Sequence, residues 1–215
     1  MMKNYEKVML QEVLPRDIEK RSFEIISEEL GSIALDPLQE PIIKRCIHTS
    51  ADFDYLENLV FSQNAVEKAM DAIREGATFV TDTNMALAGI NKPALARFGC
   101  KAVCFMADDD VRNEAEKNGT TRAVASMQKA AKIEGPLIFA IGNAPTALVK
   151  LYELIQKGAL SPKLIIGVPV GFVNVVESKE IILRTSIPYI VARGRKGGSN
   201  IAAAICNALL YNTNE

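Results

Sequence analysis

Tryptophan is absent from the 215 residues, aromatic side chains make up only 6%, and histidine occurs once. So thin an aromatic set argues against a stacking platform for single-stranded nucleic acid. The four cysteines, Cys46, Cys100, Cys104 and Cys206, form no CxxC pair, and a chain of this length with so few needs no disulfide framework. All four read as reduced core thiols. Neither sign of charge is in excess: 25 Lys plus Arg stand against 26 Asp plus Glu, a net charge of -1. That balance speaks against a general nucleic-acid binder or a polybasic membrane-surface protein. No apolar run approaches the ~20 residues of a bilayer span, and the N-terminal stretch holds no uninterrupted signal-peptide core, so the expectation is a cytoplasmic protein. One histidine and no paired cysteines give no metal site, and Asp108, Asp109 and Asp110 read as a helix-starting cluster. The strings GxxxxGK[ST], GxGxxG and GxSxG are missing too, which leaves nucleotide-loop and serine-elbow chemistry without support.

What is present is an alternation of short apolar runs with stretches whose apolar residues recur at i, i+3, i+4 and i+7, the pattern of βα units. The spacing predicts strands at Ile42–Ile47, Thr78–Thr81, Lys101–Phe105, Leu137–Ile141, Lys163–Val168 and Pro188–Ala192. Several are apolar throughout, as strands covered on both faces are. Helical stripes lie at Val66, Ala69, Met70 and Ile73, at Leu148, Leu151, Tyr152 and Ile155, and at Ile201, Ala204, Ile205 and Ala208. A further helix, about Arg16 to Leu30, precedes the first strand. The fold class expected is α/β, a three-layer α/β/α sandwich on a mainly parallel, flavodoxin-like sheet of five or six strands, in a single domain spanning 1–215. Ligands of such sheets bind beyond the carboxyl ends of the strands.

Candidate chemistry is therefore sought where strands end. His48 follows IIKRCI and opens HTSADFD, and an imidazole at a sheet mouth is a candidate acid or base; a histidine hydrogen-bonded to backbone fits the same position. Asp52 and Asp54 follow it closely enough to allow a His/Asp relay. RGRKGGSN, Arg193 to Asn200, joins a strand to a helix, and its glycines, cations and helix N-terminus together suit an anion, although a solvated basic turn has the same composition. IGNAPTAL repeats that layout with Asn143 in the turn and Pro145 in the first helical turn. VPVGFV presents Gly171 and Phe172 for an apolar face, or for a tight turn over a core aromatic. Arg122 stands near a helix start, where the dipole disfavours a cation, so it faces a ligand or partner carboxylate or else is an ordinary surface residue.

The strings RDIEKRSFEII, KRCIHTSADFDY, FVTDTNMALAGI, TTRAVASM, IGNAPTAL, GVPVGFVNVVESKE and RGRKGGSNIAAAICNAL occur in that order over nearly the whole chain. Together they resemble the precorrin-8X methylmutases of corrin biosynthesis. The resemblance implies an isomerase, free of any cofactor, that moves a methyl group from C-11 to C-12 of a cyclic tetrapyrrole bearing several carboxylates. His48 matches the family's proposed proton donor. Ser22, Thr83, Arg122 and Asn143 match substrate-contacting segments, with Arg195, Lys196, Gly197 and Gly198 suited to the carboxylate rim and Met85, Gly171 and Phe172 to the ring face. HTSADFD looks more like the branch acting on cobalt-precorrin-8 than the metal-free branch. A homodimer with active sites near the subunit boundary is expected, without nucleic acid or membrane partners. Two other readings use the same pocket or fold: a non-catalytic tetrapyrrole carrier, and an enzyme of phosphate ligands.

Overall fold

The structure, a computed structural model, describes residues 11–214. The chain divides into two compact units, Met1–Ala34 and Leu35–Glu215. In the first, a 3-10 turn at Pro15–Asp17 leads into α1, Ile18–Leu30, the helix expected there. Gly31 ends it at φ +61°.

The second unit is built on six strands, β1 Leu59–Phe61, β2 Thr78–Thr81, β3 Lys101–Val103, β4 Leu137–Ile141, β5 Leu164–Gly167 and β6 Tyr189–Ala192, in the order β1-β6-β5-β4-β2-β3. Strands β2 to β6 are parallel, and only β1 runs antiparallel, pairing Leu59 with Ala192 and Phe61 with Ile190. Leaving out β1, the parallel strands have the flavodoxin-like order, which reverses direction between β2 and β4. Connections leave those neighbours toward opposite sides, and a crevice opens between them.

One expected strand is a helix. Ile42–Ile47 lies within α2, Glu40–Ser50. Ile42, Ile43, Cys46 and Ile47 recur at i, i+1, i+4 and i+5, so their apolar atoms share one helical face, and Pro41 sits in the first turn where its missing N–H costs nothing. That face is buried against α11, Ser199–Asn212. Strand β1, three residues at an edge, replaces it in the sheet.

Helices cover both faces. On one, α4 (Ala65–Arg74) and α11 lie on β4 and β5, with α2 outside α11 and α5 (Asn84–Gly89) beside it. Helix α11 is therefore enclosed, and Ile201 to Cys206 are all buried. On the other face, α8 (Arg122–Ala130) and α9 (Pro145–Gln156) pack Met127, Leu148 and Leu151 against Phe139, Ile141 and Ile165. α10 (Val175–Ile182) adds Ile182, and α7 (Asp109–Lys117) lies against α8. The short helices α3 (Tyr55–Asn58) and α6 (Lys92–Arg97) fill connections.

Candidate active site

At the crevice between β2 and β4 the first residue beyond β2 is Asp82, and it is fully buried. Its Oδ1 accepts the N–H of Gly142 at 2.8 Å, and its Oδ2 accepts those of Asn143 at 2.8 Å and Ala144 at 2.6 Å. The turn before α9, read from sequence as an anion cradle, thus already holds an anion of the protein's own. Burial pushes the Asp82 carboxyl above the usual carboxylate range, and the three N–H donors pull against that shift. Gly142 admits the start of α11: a Cβ there would stand 2.7 Å from Ser199 Cα and 2.8 Å from Gly198 O. Thr83 caps α5 by accepting the N–H of Ala86 at 3.1 Å, and its hydroxyl shares a 2.7 Å hydrogen bond with Ser199.

Beyond β6, the loop 193–198 is held quite differently. Arg193 forms a two-pronged ion pair with Glu180 of α10, at 2.9 and 3.0 Å. Gly197 lies at φ +153°, and a Cβ on it would run into Val168 O. The N–H of Gly198 donates to that same oxygen at 2.8 Å, and the N–H of Gly171 donates to Arg195 O at 3.2 Å, so this loop and the turn after β5 are laced by main chain. Behind them Lys179, fully buried on α10, donates from Nζ to Gly194 O and Lys196 O, both at 2.8 Å. Burial lowers its pKa to about 8.

Large apolar side chains stand exposed beyond β2 and β5. Met85 is 71% exposed, and Phe172 and Val173 are each 78% exposed. The Arg195 guanidinium stands 5.4 Å from the centroid of the Phe172 ring. Lys196 reaches instead to Asp52, at 2.7 Å, and to Asp54. Those two carboxylates hold its pKa up, to about 12, and Lys196 in turn lowers that of Asp52. The aspartates read as partners for a His/Asp relay are thus engaged with a lysine of the glycine-rich loop.

His48 sits on the last turn of α2 and is exposed, not at a strand end as its flanking apolar run suggested. Its connection to the loops after the sheet runs through the turn that follows it, since Asp52 and Asp54 grip Lys196. Arg122 is the first residue of α8. The capping hydroxyl of Thr121 meets that of Thr146 at 3.1 Å, which draws the start of α8 to the start of α9 and so to the exposed Asn143. Thr83, Met85, Asn143, Gly171, Phe172, Arg195, Lys196, Gly197 and Gly198 therefore all lie on segments leaving the carboxyl ends of β2, β4, β5 and β6. Ser22 belongs to α1 in the first unit, where its hydroxyl donates to Ile18 O at 2.9 Å.

Two residues escaped the sequence reading. Asp82 looks like any turn aspartate, and its partners are 60 to 62 positions away. Lys179 sits between Ser178 and Glu180 as if on a surface, yet Val175, Ser178, Lys179 and Ile182 are spaced as one buried helical stripe. A lysine on an apolar stripe was the available signal.

Among the described residues no group of three or more His, Cys, Asp or Glu is placed to hold a metal ion, and no helix is long and apolar enough to cross a membrane. What the site offers is an open apolar shelf beyond β5 and β6, with an arginine at its edge, Met85 exposed beyond β2 and main-chain N–H groups in the loops. Such a surface suits a broad, flat ligand carrying anionic substituents.

Residues 17–212 match the family model described as precorrin-8X methylmutase. The cobalt-precorrin-8 methylmutase of Salmonella typhimurium is 47% identical over 207 residues, covering 94% of this chain and 97% of that protein. That of Leptospira interrogans is 44% identical, covering 92% and 93%. A solved structure of precorrin-8X methylmutase from Thermus thermophilus superposes with a TM-score of 0.85 at 41% identity, covering 91% of this chain and 95% of that one.

Proposed function

The chain belongs to the precorrin-8X methylmutase family, and from that premise we propose that it isomerises cobalt-precorrin-8 in cobalamin biosynthesis, moving the methyl group at C-11 of the ring to C-12 to give cobyrinate. The observation that carries this reading is the shelf: Phe172 and Val173 lie bare beside Arg195, with Met85 bare beyond β2, at the carboxyl ends of the strands. A corrin precursor has the matching surface, an apolar ring edged by acetate and propionate carboxylates. The names of the relatives favour the cobalt-bearing substrate. That cobalt belongs to the ring, and no residue of this chain is assigned to it.

His48 is the proton donor in this reading. Protonation of the macrocycle near the migrating methyl draws π-electron density away and eases a 1,5-sigmatropic shift, and the proton returns when the product forms, so the reaction is a net isomerisation. Its exposure on the final turn of α2 suits that role. Arg195, Arg122 and the loop N–H groups take carboxylates, and the rest of catalysis is positioning. Thr83 and Asn143 complete the proposed contact set. We place the enzyme in the cytoplasm as a homodimer, because a shelf this open needs an opposing wall to bury a ring, and a twofold partner supplies one.

The test is turnover of cobalt-precorrin-8 and of metal-free precorrin-8X, followed by absorption, for the wild type and His48→Ala. The variant is expected to bind the ring while losing about 10²- to 10⁴-fold in kcat, the usual contribution of a positioned proton donor. A near wild-type rate in His48→Ala refutes the assignment. A wild type that binds tightly without converting either substrate is a carrier. Light scattering at micromolar concentration tests the dimer, and a fully active monomer removes the shared wall.

A further inference from the structure

We propose that Lys179 is a positioning residue that turns two main-chain N–H groups, those of Arg195 and Gly197, outward as the receptor for one carboxylate of the substrate ring. This rests on the methylmutase reading for the identity of the ligand, and on geometry alone for the receptor.

A lysine with no exposed surface and no carboxylate partner among the described residues is a costly way to fill a helix stripe, because a desolvated ammonium is worse there than a methionine of similar length. Packing does not account for it. Its bonds are specific: Nζ takes the carbonyls of Gly194 and Lys196, two peptides that share the Arg195–Lys196 segment, and leaves the carbonyl between them to the N–H of Gly171. In a planar trans peptide the carbonyl of one residue and the N–H of the next point in opposite directions, and this chain has no cis bond among its described residues. Fixing Gly194 O and Lys196 O on the ammonium therefore aims the N–H of Arg195 and the N–H of Gly197 away from it. Neither N–H has a hydrogen-bond partner among the described residues. The ammonium also polarises both peptides, which strengthens the donors at their far ends.

The side chains of the loop fit this assignment. Arg193 is consumed by Glu180 and Lys196 by Asp52 and Asp54, whereas the Arg195 guanidinium lies over the exposed ring of Phe172. A carboxylate on a ring resting against Phe172 meets two N–H donors and one guanidinium. Gly197 contributes no side chain to cover its own N–H. Lys179 touches no ligand itself, and it acts through the loop.

The deciding measurement combines steady-state kinetics with amide-resolved NMR of the whole protein, titrated with cobyrinic acid and separately with uroporphyrin, a commercially stable ring polycarboxylate. In the wild type the Arg195 and Gly197 amide resonances are expected to shift on titration, and in Lys179→Met to stay in place. Lys179→Met should raise KM about tenfold, the value of one charge-assisted contact, with kcat changed less than about twofold. The KM effects of Lys179→Met and Arg195→Ala should be less than multiplicative in the double variant, since both act on one carboxylate. A wild type that turns over substrate while both amides stay unmoved, or a folded Lys179→Met with unchanged KM, overturns this inference and leaves the methylmutase reading standing. If the wild type converts neither substrate, the methylmutase reading fails, and the uroporphyrin titration still decides the receptor: shifts lost in Lys179→Met support it, and unmoved wild-type amides overturn it. Should Lys179→Met fail to fold, the wild-type titration decides in the same way.

Discussion

The turn that opens α9 and the loop that opens α11 have the same local design, a strand, a glycine-containing turn and a helix start, yet they are held by opposite charges. In the first, the Asp82 carboxylate enters from β2 and occupies the N–H groups of Gly142, Asn143 and Ala144. In the second, the Lys179 ammonium enters from α10 and occupies the carbonyls of Gly194 and Lys196, so the N–H groups of Arg195 and Gly197 face out. An internal anion closes one cradle and an internal cation opens the other. A glycine-rich turn before a helix is therefore not enough to define an anion site: which side of the peptides the protein itself binds decides whether the N–H groups remain available.

The comparison breaks most visibly at Asp82. Asp82→Ala leaves three N–H groups of a packed turn without their acceptor, and at about 1–3 kcal/mol for each buried unpaired donor, moderated by water at the exposed Asn143, a loss of about 4 kcal/mol is expected. Urea unfolding at neutral pH measures it, and a loss below about 1 kcal/mol would mean that the turn holds its shape without its anion.

On the other side, Lys179 makes stability depend on pH. Its folded pKa of about 8 lies below the ordinary 10.5, so between those values the unfolded chain binds the extra proton and the native state gains stability as pH rises. Buried thiols act in the opposite sense, since Cys46 is pushed up to about 12, but they are common to wild type and variant. The stability of wild type minus that of Lys179→Met should therefore climb by roughly 3 kcal/mol from pH 7.5 to pH 10.5. A flat difference would show that the ammonium is not strained by burial.

A smaller effect separates the two cations of the open loop. Arg195→Ala should weaken ring binding about fivefold to tenfold at low salt, and the loss should shrink as the ~8–10 Å screening length of physiological salt is approached. Lys196→Ala should weaken binding less, because its charge is already matched by Asp52 and Asp54. Equal losses in isothermal titration would place both side chains on the ligand and blur the distinction between the loop's structural and binding cations.

Much of this arrangement was legible in the amino-acid sequence. Val80, Phe139, Ile165 and Val191 lie in runs apolar enough to require helices on both faces, and β2, β4, β5 and β6 stand where those runs are. The error at Ile42–Ile47 came from reading local apolar density where spacing was the better guide, for Ile42, Ile43, Cys46 and Ile47 describe a helix face. It also misplaced His48, which gained its position at the sheet mouth from a strand that does not exist. β1 was illegible because three residues at an edge carry no period. The loop cations read as suiting an anion and Asp52 as a relay partner of His48; Arg193 pairs with Glu180 and Lys196 with Asp52, pairings between residues 13 to 144 positions apart that no local pattern reveals.

The antiparallel edge has a consequence for how the protein is made. β1 has no partner until β6 exists, the N–H of Arg193 closes onto Asn58 O, and the turn after His48 is tied to Lys196. During vectorial synthesis the proposed proton donor, His48, emerges from the ribosome 148 residues before Lys196, which anchors its turn. Long-range closure of this kind is slow relative to helix formation. The nascent chain can lay down β2 to β5 with their helices early, but the proposed donor and the loop 193–198 are tied together only once the final strand has been added, so the site assembles after most of the sheet.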